Sequence, residues 1–148
     1  ASRVWALLIG INVYSSSDFS PLRGCMNDVQ RMVEFLVHDL GMSEGHIKCR
    51  IDVDSPICEH IINTLLSLTT KPEIQYGDNI IIYFAGHGSS YKWGTSWEGC
   101  IEALCPMDRT SSSGTYDSIP DISDREINTI LTEISRTKGS HITFILDC

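Results

Sequence analysis

Ile80-Ile81-Ile82-Tyr83-Phe84-Ala85-Gly86-His87-Gly88 is an apolar run that ends abruptly in a histidine held between two glycines. The run is the length of a strand buried on both faces, the kind found in parallel sheets. In an open α/β sheet, ligands and reacting groups collect just beyond the carboxyl ends of such strands. A histidine there can move protons near neutral pH, and its glycine neighbours allow a substrate backbone to come close. A second apolar run, His141-Ile142-Thr143-Phe144-Ile145-Leu146, ends in Asp147-Cys148. If the two strands share a sheet, a histidine, a carboxylate and a thiol stand at one edge.

Working outward, Val4 to Ile11 is another buried-strand run. Met26, Val29, Met32, Val33, Phe35, Leu36 and Leu40 recur at helical spacing, with Gly41 placed to end the helix. Ile47 to Val53 reads as a strand. Ser55-Pro56 is expected to cap and open a helix carrying Ile57, Ile61, Ile62, Leu65, Leu66 and Leu68. Ser89 to Gly99 reads as loop, and Gly99 to Leu104 as a short extra strand. Met107 to Asp121, rich in Ser, Gly, Thr and Asp, reads as an exposed, mobile loop. Ser123-Asp124-Arg125-Glu126 has the form of a capping box and opens a helix with Ile127, Ile130, Leu131 and Ile134 on one face. The order β-α-β-α-β-(β)-α-β implies an α/β domain with a mostly parallel central sheet flanked by helices.

The 148 residues amount to one domain or a large piece of one. The chain starts without Met and stops directly after a strand, which reads as the N-terminal part of a longer protein. With 11 basic and 19 acidic residues the formal charge is −8. That balance argues against nucleic acid or an anionic membrane as the main partner and suits a cationic substrate better. No apolar run is long enough to span a bilayer. The six cysteines form no Cys-x-x-Cys pair, and no histidine sits at zinc-finger spacing. Reduced thiols in a cytosolic or nuclear protein are expected. Of the five histidines only His87 has a catalytic context; His38, His46, His60 and His141 are expected at the surface or in packing roles.

Six segments in order resemble the caspase-like fold of cysteine peptidases, and within it the metacaspases of fungi, plants and protists. They are Ala6-Leu7-Leu8-Ile9-Gly10-Ile11-Asn12 with Tyr14, and Leu22-x-Gly24-Cys25-x-Asn27-Asp28. Tyr83-Phe84-Ala85-Gly86-His87-Gly88 and Glu102-Ala103-Leu104-Cys105-Pro106-Met107-Asp108 follow. Ile122-x-Asp124-x-Glu126-Ile127 and Phe144-Ile145-Leu146-Asp147-Cys148 complete the set. The resemblance implies a caspase-like three-layer sandwich and a Cys-His dyad with His87 as its histidine. In metacaspases the nucleophile lies two places after the Asp that Asp147 matches. It is then the residue following Cys148, with Cys148 itself as the second choice.

The resemblance also implies an acidic pocket that takes Arg or Lys before the scissile bond, with Cys25, Asp28 and Asp147 at pocket positions. Gly88 is the candidate oxyanion donor. Ala85 stands where the family has a pocket Ser, which removes a hydroxyl. Calcium activates many members, and Asp124 matches one acidic position. Its usual Asp neighbour is Arg125 here, which opposes metal binding. No cofactor is therefore expected, and Asp108 is the remaining candidate ligand. The expected function is a cysteine endopeptidase acting on proteins or peptides with basic residues. The alternative is an inactive signalling or assembly module on the same fold.

Overall fold

The computed structural model describes residues 3–50, 56–92, 99–110 and 118–148. Its central element is β3 (Asn79–Ala85), the apolar run before His87. β3 pairs in parallel with β1 (Val4–Gly10) on one side and with β7 (Ile142–Asp147) on the other. β2 (Ile47–Arg50) adds to the far side of β1, giving the order β2-β1-β3-β7. The first, third and last strands of the sequence reading are thus neighbours.

Alternation along the strands divides the core into two layers. Trp5, Leu7, Ile9 and Ile11 of β1 and its end, with Ile80, Ile82 and Phe84 of β3, face the helices α2 (Cys58–Thr70) and α3 (Asp124–Lys138). Ala6, Leu8, Tyr83 and Ala85 face α1 (Cys25–Glu34) on the other side. Leu7, Leu8, Ile82 and Phe84 are wholly excluded from solvent. Each such side chain contributes about 1.5–3 kcal/mol of transfer free energy. The expected three-layer α/β arrangement is what the chain adopts.

The helices depart from the simplest reading in two places. α1 continues into a π-helical turn, Phe35–Asp39, which leaves Phe35 and Leu40 about half exposed. Gly41 then ends the segment at φ +66°, a conformation that suits glycine. α2 begins at Cys58, not at Ser55-Pro56. Ser55 lies outside the described residues, and the first backbone N–H of α2 is instead met by the Asp108 carboxylate, Oδ1 accepting from Cys58 N at 2.8 Å. Leu66, expected on the buried face of α2, points outward, and Thr64 is buried in its stead. α3 keeps its expected start: Ser123 Oγ accepts from Glu126 N, and Glu126 reaches back to Ser123 N.

A second, antiparallel sheet follows His87: β4 (Gly88–Lys92), β5 (Cys100–Leu104) and β6 (Ile122–Ser123). Only β5 was expected. β4 (Gly88-Ser89-Ser90-Tyr91-Lys92) carries almost no apolar signal, because it is exposed along most of its length. The segment expected as an exposed loop is pinned at its ends, where Arg109 and Asp121 are both buried; residues 111–117 within it lie outside the described set. Val53, the expected end of β2, does too. No helix among the described residues is long and apolar enough to cross a membrane.

Candidate active site

The strand register places Gly10 opposite Ala85, and Ala85 opposite Asp147. The chain leaving each of these strands therefore enters one surface at the carboxyl edge of the sheet. Two residues beyond β3, His87 is gripped from several sides. Its backbone N–H donates to the Tyr14 hydroxyl at 2.7 Å, and its carbonyl accepts from Cys105 N at 3.0 Å. Its Nε2 lies 2.9 Å from the Ser20 carbonyl oxygen. A carbonyl can only accept, so Nε2 carries a hydrogen, and in the neutral ring Nδ1 then holds the lone pair. The rings of Tyr14 and Phe19 tilt against the imidazole at centroid distances of 5.0 and 5.6 Å.

The flanking glycines have separate reasons. A Cβ on Gly86 would come within 2.9 Å of both Phe84 Cζ and the Tyr14 hydroxyl, so only glycine admits the Tyr14 contact. A Cβ on Gly88 would stand 3.2 Å from Cys148 Sγ. The thiol of Cys148 thus rests against the residue following His87, and it is exposed.

Asp147 belongs to the other side of the sheet. Its Oδ2 accepts a 2.8 Å hydrogen bond from Tyr83, whose phenol is buried on the α1 face. α1 brings Cys25 and Asp28 to the same place. Its start is fixed by Asn12, whose Oδ1 accepts from Cys25 N at 3.1 Å. Burial pushes the Cys25 thiol above its ordinary pKa, and the nearby charges of Asp28 and Asp147 push it further. Tyr83 is shifted the same way, by burial first and then by its bond to Asp147. Cys25 is thus a neutral thiol at physiological pH, and Tyr83 a dependable donor.

The geometry thus gathers Cys25, Asp28 and Asp147 into one acidic cluster, and places His87, Gly88 and Cys148 at the adjoining edge. No disulfide joins the six cysteines. Burial also raises the thiols of Cys58 and Cys105. His46 stacks on Trp5 at 3.9 Å and bonds to the Val4 carbonyl, and His141 bonds to the Gly77 carbonyl, so both serve packing as expected. Asp108 spends Oδ1 on α2, Asp124 lies exposed in the first turn of α3, and no metal-holding cluster is present among the described residues. Sequence reasoning missed Ser20, Tyr83 and the role of Tyr14. A carbonyl acceptor such as Ser20 leaves no residue signature; Tyr14 and Tyr83 belong to the family-like segments, but only the fold shows what their hydroxyls reach.

A parallel α/β sheet with a histidine, a carboxylate and a thiol along one carboxyl edge defines a caspase-like domain of the cysteine peptidase class. The family model described as metacaspase, peptidase C14 domain, matches residues 5–148, and the chain belongs to that family. Metacaspase-6 of Arabidopsis thaliana is 38% identical over 110 residues, 70% of this chain and 29% of that protein. Metacaspase-7 of the same plant is 32% identical over 96% of this chain and 33% of its own length. Metacaspase-1 of Eremothecium gossypii is 30% identical over 96% of this chain and 30% of its own. The chain therefore spans about a third of the length of these relatives. The crystal structure of protein GSU0716 from Geobacter sulfurreducens superimposes with a TM-score of 0.68 over 97% of this chain and 48% of that one. At 15% identity it speaks for the fold alone.

Proposed function

We propose that the full-length protein is a cysteine endopeptidase that cleaves after Arg or Lys, with His87 as the proton-transferring half of a Cys-His dyad. The observation that carries this reading is the placement of His87. Its Nε2–H is held by the Ser20 carbonyl, and it stands beside the end of β7 with Nδ1 left to exchange protons. The nucleophile is the residue following Cys148 in the longer protein, with Cys148 as the second candidate. His87 Nδ1 takes the proton of the nucleophilic thiol; the thiolate attacks the peptide carbonyl, and the S–C bond forms as the carbonyl oxygen takes the negative charge. The backbone N–H of Gly88 helps hold that oxygen. His87 gives its proton to the departing amine, then takes one from the water that releases the acyl group.

Asp28 and Asp147, beside the neutral Cys25, receive the guanidinium or ammonium of the substrate through charge-assisted hydrogen bonds. The net charge of −8 supports cationic peptide substrates over nucleic acid or membrane. The reaction so written uses no cofactor, and a cytosolic or nuclear site suits its reduced thiols.

The test is steady-state cleavage of arginyl, lysyl and aspartyl peptide substrates by the full-length protein and its His87→Ala variant. Cleavage after Arg or Lys that falls by at least about a hundredfold in the variant is expected. An intact, folded protein that cleaves none of them would make this an inactive assembly module on a peptidase fold.

A further inference from the structure

The reaction proposed above leaves one buried ion pair unused. Arg109 and Asp121 are each only 8% exposed, and Arg109 Nε lies 2.8 Å from Asp121 Oδ1, close in distance but off-axis for a hydrogen bond. Removing two charges from water offsets most of their attraction, so such a pair contributes little net stability. What it touches is more telling.

Asp121 Oδ2 accepts hydrogen bonds from Ser89 and Tyr91 of β4, the strand that begins directly after His87. Arg109 donates to Cys105 Sγ at 3.2 Å, and the backbone N–H of Cys105 is the donor to the His87 carbonyl. Arg109 Cζ also stands 4.0 Å over the ring of Phe19, a close cation–π contact. Phe19 packs on both Tyr14 and His87, and its neighbour Ser20 supplies the carbonyl that holds Nε2. The pair thus grips the chain behind His87, the strand after it and the loop facing its ring.

We propose that Arg109, fixed by Asp121, is a positioning residue for the His87 imidazole. By stacking on Phe19 it holds the Phe19-Ser20 turn where the Ser20 carbonyl keeps the hydrogen on Nε2 and leaves Nδ1 free. The benefit to catalysis rests on the peptidase reading; the effect on the imidazole does not.

The test uses the full-length protein with 15N-labelled histidine. Long-range 1H–15N spectra report the tautomer of each neutral ring, and His87 is assigned by its absence in His87→Gln. Wild-type protein should show His87 with hydrogen on Nε2. In Arg109→Met the two tautomers should mix, with kcat down about tenfold and KM within about twofold, as for a misplaced catalytic group. Arg109→Lys, which keeps a cation over Phe19, should recover part of both. Phe19→Leu leaves the ion pair intact and should give the Met signature, which keeps the test open if Arg109→Met does not fold. A folded Phe19→Leu with the wild-type tautomer and wild-type kcat would overturn the proposal. If the variants lose the tautomer while no form of the protein cleaves peptides, the positioning role stands and the peptidase reading falls.

Discussion

The Tyr83 hydroxyl donates a 2.8 Å hydrogen bond to Oδ2 of Asp147, tying β3 to β7 on the α1 side of the sheet. Tyr83 and Ala85 share that face, and Ala85 lies opposite Asp147 in the register. The small side chain at 85 leaves the phenol free to reach along the strand. The hydroxyl that Ala85 lacks thus comes to the acidic cluster from two residues earlier.

Tyr83→Phe should leave the fold intact, because only one oxygen is lost from a packed ring. If Asp147 receives the basic side chain, KM for arginyl and lysyl substrates should rise about tenfold, the ~1.5 kcal/mol of a hydrogen bond to a charged group. kcat should change little. Kinetics of the full-length variant on both substrates check this; an unchanged KM would remove Tyr83 from the specificity pocket.

Gly86→Ala should be far more damaging than its single methyl suggests. The new Cβ would meet Phe84 Cζ and the Tyr14 hydroxyl at 2.9 Å, and the Tyr14 bond to the His87 N–H must give way. Overpacking of this kind costs about 1–3 kcal/mol. Thermal unfolding and peptide cleavage should fall together.

Much of the sheet could be read in advance, because β1 and β3 are long apolar runs whose burial is written in their composition, and β7 carries a similar run although it is only partly buried. β4 could not, since Ser89, Ser90 and Tyr91 are held by backbone pairing and by Asp121 rather than by a core. The start of α2 was placed too early for a related reason. Local capping signals at Ser55-Pro56 lost to a carboxylate 50 residues along the chain. At the site, His87 and Asp147 stood out by chemical type, whereas Ser20 acts through a main-chain oxygen and Arg109 through a neighbour's ring.

That remote cap has a measurable weight. Asp108→Ala should lower stability by about 1 kcal/mol, as for loss of an N-cap, and Asp108→Asn, which keeps an acceptor oxygen, should lose less. Ser123→Ala, at the local capping box of α3, provides the matched comparison. Urea titration of the three variants measures it. An Asp108→Ala protein as stable as the parent would show that the Cys58 N–H finds another acceptor.

Stability should also fall in alkali. Burial, helped by the charges of Asp108, Glu126 and Asp121, pushes the Cys58 thiol up to about 11 from an ordinary 9.0. Below pH 9 both folded and unfolded chains hold this proton. Between about 9 and 11 only the folded chain does, so unfolding releases a proton and becomes easier as pH rises. Cys58→Ala should make the decline in unfolding temperature over that range shallower. It will not become flat, since the Cys25 and Cys105 thiols are raised as well.

The position of β1 carries a consequence for how the chain is made. Ala6 pairs with Ile47 on one side and with Ile81 on the other, so β1, which is synthesised before both of its neighbours, lies between them in the sheet. Its apolar residues leave the ribosome long before either neighbour exists. Parallel pairing across such sequence distances is slow, and unpartnered strands of this kind are prone to associate. The nascent chain should therefore depend on holding factors until β3 has emerged. The rate of biogenesis, rather than the final stability, would then set how much of the protein a cell accumulates.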